Sequence, residues 1–145
     1  MRDQPFTIAL EPDDERALAA QIHDKLGEFN FNIAGHDDRR PLVIVARNVG
    51  GELIGGLLGD LFWQVLAIHI LWVAAEQRGQ GIGAALLARA EAEARTAGCL
   101  FAQVDTMDFQ APNFYVKYGY AVFGTVGPYV GKYTRYYLKK ALESA

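Results

Sequence analysis

Six residues, Arg78-Gly79-Gln80-Gly81-Ile82-Gly83, lie between an apolar run, Val65 to Val73, and an alanine-rich amphipathic stretch that continues to Ala97. A strand, a glycine-rich turn and a helix in that order make an anion pocket. The glycines leave backbone N–H groups uncovered by side chains, and the helix that opens there points its positive dipole end outward. Arg78 adds a full charge beside them. The expected guest carries phosphate.

The same residues also satisfy a dinucleotide fingerprint, Gly79-x-Gly81-x-x-Ala84, with Asp105 standing near the distance of a ribose-binding acid, ~20 residues on. Two features count against that reading. The fingerprint glycine normally follows its strand directly, whereas Ala74-Ala75-Glu76-Gln77-Arg78 intervene here. Too little chain follows Asp105 to build the remaining strands of a doubly wound fold. A purely structural turn is weaker again, because three glycines beside an arginine cost conformational entropy without burying anything.

The surrounding pattern is that of one mixed α/β domain over residues 1–145. Phe6 to Leu10 alternates like a strand. Pro12-Asp13-Asp14-Glu15 opens a helix with Leu18, Ile22 and Leu26 on one face, which Gly27 is expected to end. Glu28 to Pro41 has no clear period and is expected as a loop or short irregular helix. Leu42 to Arg47 and Glu52 to Gly59 read as two strands joined at Asn48-Val49-Gly50-Gly51, and Val65 to Val73 as a further strand apolar on both faces. From Gly81 to Ala97 the residues Ile82, Leu86, Ala90, Ala94 and Ala97 recur at helical spacing, with Arg89, Glu91, Glu93 and Arg95 mainly on the other side. Leu100 to Thr106 reads as a buried strand, Gln110 to Tyr118 as a short helix, and Tyr120 to Gly124 and Lys132 to Lys139 as two closing strands.

The composition excludes several classes of function. The net charge of −3 over 145 residues argues against nucleic acid or an anionic membrane as partner, and suits an amine-bearing substrate. The apolar run from Val65 to Ala75 is interrupted by His69 and too short to span a bilayer, and Met1 to Pro5 lacks the apolar core of a signal peptide. Cys99 is the only cysteine, so the chain carries no disulfide framework. A cytoplasmic protein is expected. No metal site is expected either, since His23, His36 and His69 are widely spaced.

Arg78-x-x-Gly81-x-Gly83, after a strand ending Leu71-Trp72-Val73, resembles the acetyl-coenzyme A signature of the GNAT superfamily of N-acetyltransferases. A second block, Asp105 to Tyr120, is similar to the later motif of that family, in which Asn113 precedes the pair Phe114-Tyr115 and Gly119-Tyr120 ends the helix. The resemblance implies a central mixed, mostly antiparallel sheet of six to seven strands, flanked by helices, whose fourth and fifth strands splay apart. Splayed strands leave backbone groups in need of a partner. The pantetheine arm of acetyl-coenzyme A would pair with Leu71, Trp72 and Val73. Its pyrophosphate would rest on Arg78, Gly79, Gln80, Gly81, Ile82, Gly83 and Ala84.

The resemblance further implies transfer of acetyl to a primary amine of a small molecule, peptide or protein by direct attack in a ternary complex. Tyr115 matches the position of the general acid, a role suited to a phenol that ordinarily ionises near ~10. The Val73 main-chain N–H is the first candidate for the oxyanion donor. Asn113 either bonds the cofactor or satisfies its own helix start. The general base stays open among Glu76, Asp105, Asp108 and His69, with Glu76 as the named possibility. Acceptor-lining candidates are Phe29, Phe31, His36, Asp37, Tyr129 and Tyr133, aromatics and an acid that suit an alkyl or aryl amine. A homodimer is the default carried over from relatives. The alternative function is a noncatalytic acyl-coenzyme A sensor, since fold does not fix function.

Overall fold

The structure, a computed structural model, describes residues 5–11, 16–35 and 39–142. It divides into two compact units, Met1–Asp37 and Asp38–Ala145.

In the first unit, Arg16–Ala34 forms a 19-residue helix, α1. It runs through Gly27, because a single helical glycine costs only about 1 kcal/mol against alanine. The residue that ends it is Gly35, at φ 72°, whose N–H bonds back to Phe31 O at 2.7 Å. Phe6 to Leu10 is not a strand, and its apolar residues Phe6, Ile8 and Leu10 are exposed. Alternation makes a strand only where a neighbouring edge takes its backbone hydrogen bonds. Pro12 to Glu15 lies outside the described residues.

The second unit contains β1 (Arg40–Arg47), β2 (Leu53–Phe62), β3 (Val65–Val73), α2 (Ile82–Thr96), β4 (Phe101–Met107), α3 (Pro112–Lys117), β5 (Ala121–Tyr129) and β6 (Tyr133–Ala141). The six strands form one sheet in the order β1-β2-β3-β4-β6-β5. Every pair is antiparallel except β3 with β4. Since Phe6 to Leu10 contributes no strand, the pair expected to splay as fourth and fifth is the third and fourth here.

One face of the sheet is buried under α2. Leu57, Leu66, Ile68 and Leu138 from the sheet meet Leu86, Leu87, Ala90 and Ala94 from the helix, all nearly or fully inaccessible. The small alanines let the helix lie close, and Gly55 completes the fit: a Cβ there would stand 3.1 Å from Ile82 Cγ2. Each leucine so buried contributes about 1.5–3 kcal/mol. Glu91, expected on the polar side of α2, is buried instead. It accepts hydrogen bonds from Tyr120 Oη at 2.9 Å and Lys140 Nζ at 2.7 Å, which offset the desolvation of its charge.

Two irregularities set the geometry of β3. It is joined to β2 by Trp63-Gln64, both left-handed at φ 48° and 64°, the two-residue turn that matches strand twist. Farther along, the register steps from Leu58↔Ile70 to Gly59↔Ile68, leaving His69 as an extra residue in a bulge. The bulge reverses the parity of the strand. Leu66 and Ile68 before it, and Leu71 and Val73 after it, all belong to the α2 side, whereas an unbroken strand would have put Ile70 and Trp72 there.

Candidate active site

β3 and β4 pair only from Val65↔Phe101 to Ile68↔Val104. Beyond that point their other neighbours draw them apart. β3 stays with β2 through Leu71↔Leu57 and Val73↔Gly55, while β4 stays with β6 through Asp105↔Tyr137 and Met107↔Arg135. The result is a V-shaped gap whose β3 edge, from His69 to Val73, has no strand partner on that side among the described residues. Around it lies a cavity of about 620 Å³. Leu71, Trp72 and Val73 form one wall, Asp105 and Thr106 the other, and Tyr115 with Phe114 closes it.

The glycine turn stands at the mouth of this gap. Gly79 and Gly81 are both at φ 82°, a conformation that favours glycine, and a Cβ at either would meet open space. Gly81 is the N-cap of α2, and no side chain caps the helix. The first amides of α2, those of Ile82, Gly83 and Ala84, therefore have no intrahelical acceptor and are open to an anion. Gly83 lines the cavity, where a Cβ would come within 3.4 Å of the Phe114 ring. Arg78 donates from Nε to Val73 O at 3.2 Å, which ties the turn to the end of β3 and leaves the two terminal nitrogens of its exposed guanidinium for an anion.

The opposite wall is fixed by side chains. The Gln110 amide oxygen accepts from Met107 N–H at 2.8 Å, and the Asp108 carboxylate from Thr134 N–H at 2.9 Å. Phe109 meets the Tyr133 ring edge-on at 4.9 Å. Tyr115 is buried in an aromatic group, with ring centroids at 5.2 Å from Phe114 and 5.6 Å from Tyr120. Burial, with a smaller push from the Asp105 carboxylate, moves its phenol up from 10 to about 12, so it stays protonated at neutral pH. Tyr120 is raised as well, by burial first and then by Glu91.

The profile of the Acetyltransferase (GNAT) family matches residues 4–120. The chain belongs to that family. It is 45% identical over 109 residues to Blasticidin-S acetyltransferase from Streptomyces morookaense, an alignment covering 72% of this chain and 80% of that protein. A crystal structure of an acetyltransferase from Agrobacterium tumefaciens superposes with a TM-score of 0.82 at 36% identity, covering 95% of this chain and 99% of that one. A streptothricin acetyltransferase from Bacillus anthracis str. Ames, solved in complex with acetyl coenzyme A, shares the fold at a TM-score of 0.64 and 19% identity, covering 71% and 63% of the two chains. This GNAT chain is accordingly an acyltransferase.

The other residues singled out from the sequence are dispersed. Glu76 lies on a one-turn helix, Ala75–Gln77, outside the cavity lining. Asn113 is exposed in the first turn of α3 and also outside the lining. Phe29 and Phe31 are exposed on α1, while His36 and Asp37 lie outside the described residues. Tyr129 stacks under the Arg135 guanidinium, 5.0 Å from its carbon. Asp105 lines the cavity and pairs with Arg135 at 3.4 Å. Five lining residues were given no site role in the sequence: Ile70, Thr106, Phe109, Gln110 and Ala111. Their signal is positional only, since Ile70 follows from the open edge of β3 and the others from where β4 ends and α3 begins.

Proposed function

We propose that this acetyltransferase transfers acetyl from acetyl-coenzyme A to a primary amine on a small molecule, by direct attack with both substrates bound. The thioester supplies an acyl group already activated toward an amine. Arg78 and the amides from Gly79 to Ala84 hold the pyrophosphate, and the free edge of Leu71, Trp72 and Val73 holds the arm, so that the sulfur end points into the gap. Tyr115 at the end of that gap carries the proton that the departing sulfur needs, and its burial keeps that proton in place until it is used. The observation that carries this reading is the alignment of three features along one cavity: uncapped helix amides, an unpaired strand edge and a protonated buried phenol.

The preference for a small amine draws support from the relative named for blasticidin S. Release of free thiol from acetyl-coenzyme A should be followed with blasticidin S, spermidine, tyramine and a short peptide with a free N-terminus. Acceleration by one of the first three is expected. Thiol release with the peptide alone would redirect the assignment to protein amines, and release with none of the four would reject it. A cytoplasmic location remains the expectation, and no helix among the described residues is long and apolar enough to cross a membrane.

A further inference from the structure

We propose that His69, held by Asp60, is the base that takes the proton from the acceptor amine. The inference rests on the acetyl-transfer reading and assigns the proton acceptor, which that reading leaves unnamed. His69 is the extra residue of the β3 bulge, and it sits immediately beyond the last paired residue, Ile68, at the apex of the gap. It lines the same cavity as Tyr115. The two approach that cavity differently. Tyr115 belongs to the core group under α2, whereas His69 reaches toward Asp60, which alternates with the core residues Leu57 and Leu61 and so stands on the other face of the sheet.

The partner fixes which nitrogen does the work. His69 Nε2 lies 2.9 Å from Asp60 Oδ2, and Arg39 Nη1 lies 3.2 Å from the same oxygen. Arg39 is itself held by stacking 3.9 Å over the Phe62 ring. A carboxylate beside an arginine is an acceptor only, so a neutral imidazole must place its hydrogen on Nε2. Nδ1 then carries the lone pair. The charged groups around His69 are Asp60 on β2, which it contacts, and Arg39 before β1, which shares that carboxylate; Asp105 of β4 lines the same cavity and is paired with Arg135 of β6.

The competing acids are otherwise engaged. Asp108 is committed to Thr134 N–H, Asp105 to Arg135, and Glu76 is off the cavity. With His69 as base the transfer balances. The amine nitrogen bonds to the acetyl carbon as the carbon–sulfur bond breaks and its electron pair goes to sulfur. The proton leaving nitrogen passes to His69 Nδ1, and the sulfur takes the Tyr115 proton. His69, exposed to solvent, sheds its proton to water, and the Tyr115 phenolate takes one back from water that enters the shared cavity as the products leave. Two proton-handling groups on opposite faces of one gap let amine and thiol be served at once.

Two measurements test this. In the first, protein carrying isotope-labelled histidine is saturated with coenzyme A, and the ring nitrogens of His69, identified by their loss in His69→Gln, are read by NMR. The Nε2–H tautomer is expected for the neutral ring, with that preference lost in Asp60→Ala; an Nδ1–H tautomer in the unsubstituted protein would overturn the assignment. In the second, thiol release with the fastest amine of the panel should fall about 100-fold in His69→Gln. The acid limb of its kcat/KM profile should vanish, and coenzyme A affinity should stay unchanged. A His69→Gln protein with unaltered rate and pH profile removes the base role while leaving acetyl transfer standing. A wild-type protein inert toward every amine removes the parent reading instead, and the tautomer then rules on the His69–Asp60 pair alone.

Discussion

The turn entering α2 and the turn entering α3 both require left-handed backbone, at Gly79 and Gly81 (φ 82°) in one and at Ala111 (φ 79°) in the other, yet only the first is built of glycine. The first turn is open on all sides, with nothing within 4 Å of where its Cβ atoms would be. The second is crowded by anchors: Gln110 to Met107, Asp108 to Thr134, Phe109 to Tyr133. An alanine at positive φ costs about 1 kcal/mol or more, and such strain persists where the surroundings over-determine it. The difference matches the demands that the proposed roles place on the two walls. A diphosphate needs bare amides, whereas a proton donor needs an immobile support.

If the α3 wall exists to place the Tyr115 phenol, removing its hydroxyl should have the largest effect. Tyr115→Phe should lower kcat roughly 100-fold while leaving the Kd for coenzyme A within a factor of two of wild type. Equal turnover in the two proteins would strip the acid role from this wall. The pH dependence sharpens the point. A phenol that ionises near pH 12 when folded and near 10 when unfolded supports stability that is complete below pH 10 and is lost as the pH rises through 12. Chemical denaturation between pH 9 and 11 should therefore show a shallower alkaline decline in Tyr115→Phe than in the unsubstituted protein.

The α2 turn should answer to charge rather than to rigidity. Arg78→Ala should raise the Kd for coenzyme A about tenfold, the loss of one charge-assisted contact to phosphate, and the effect should shrink as salt is added. The guanidinium is exposed and, among the described residues, bonds to Val73 O, so the melting temperature should barely move. Calorimetry showing unchanged affinity would detach the phosphate from this turn.

How much of this was legible beforehand follows the same division. The glycine turn, α2 and the Asn-Phe-Tyr block were visible because their chemistry is written in residue type. α2 runs Ile82–Thr96 against an expected 81 to 97, and β4 runs Phe101–Met107 against an expected 100 to 106. What escaped notice is structure that residue type does not encode. The bulge at His69 lies in a run apolar on both faces, so no alternation existed whose reversal could reveal it. The Trp63-Gln64 turn is left-handed without a glycine, and Ala111 is the same. Gly27 looked like a stop and was a tolerated interior residue, because helix propagation outweighs one poor former. Glu91 looked like a surface acid until Lys140, far along the chain, was brought beside it. His69 was one of four candidate bases in the sequence, but its Asp60 partner was not, since the 2.9 Å contact between them depends on a strand pairing that sequence spacing does not announce.

The smallest effects give the most direct contrast between the two turns, because the substitutions are mirror images. Gly81→Ala adds a methyl group where space is free, so its only penalty is the left-handed backbone, about 1 kcal/mol of stability. Ala111→Gly removes that same penalty and gives back part of it as extra freedom in the unfolded chain, for a net gain of about 0.5 kcal/mol. Urea midpoints should thus move in opposite directions, down for the first and up for the second. The functional readouts should divide as well. Gly81→Ala weakens coenzyme A binding because its methyl group and altered backbone disturb the amides, whereas Ala111→Gly leaves binding alone and lowers kcat by loosening the support of Tyr115. An Ala111→Gly protein that is less stable than its parent would show that the α3 entrance holds no strain, and the distinction between an open cradle and a braced wall would fail with it.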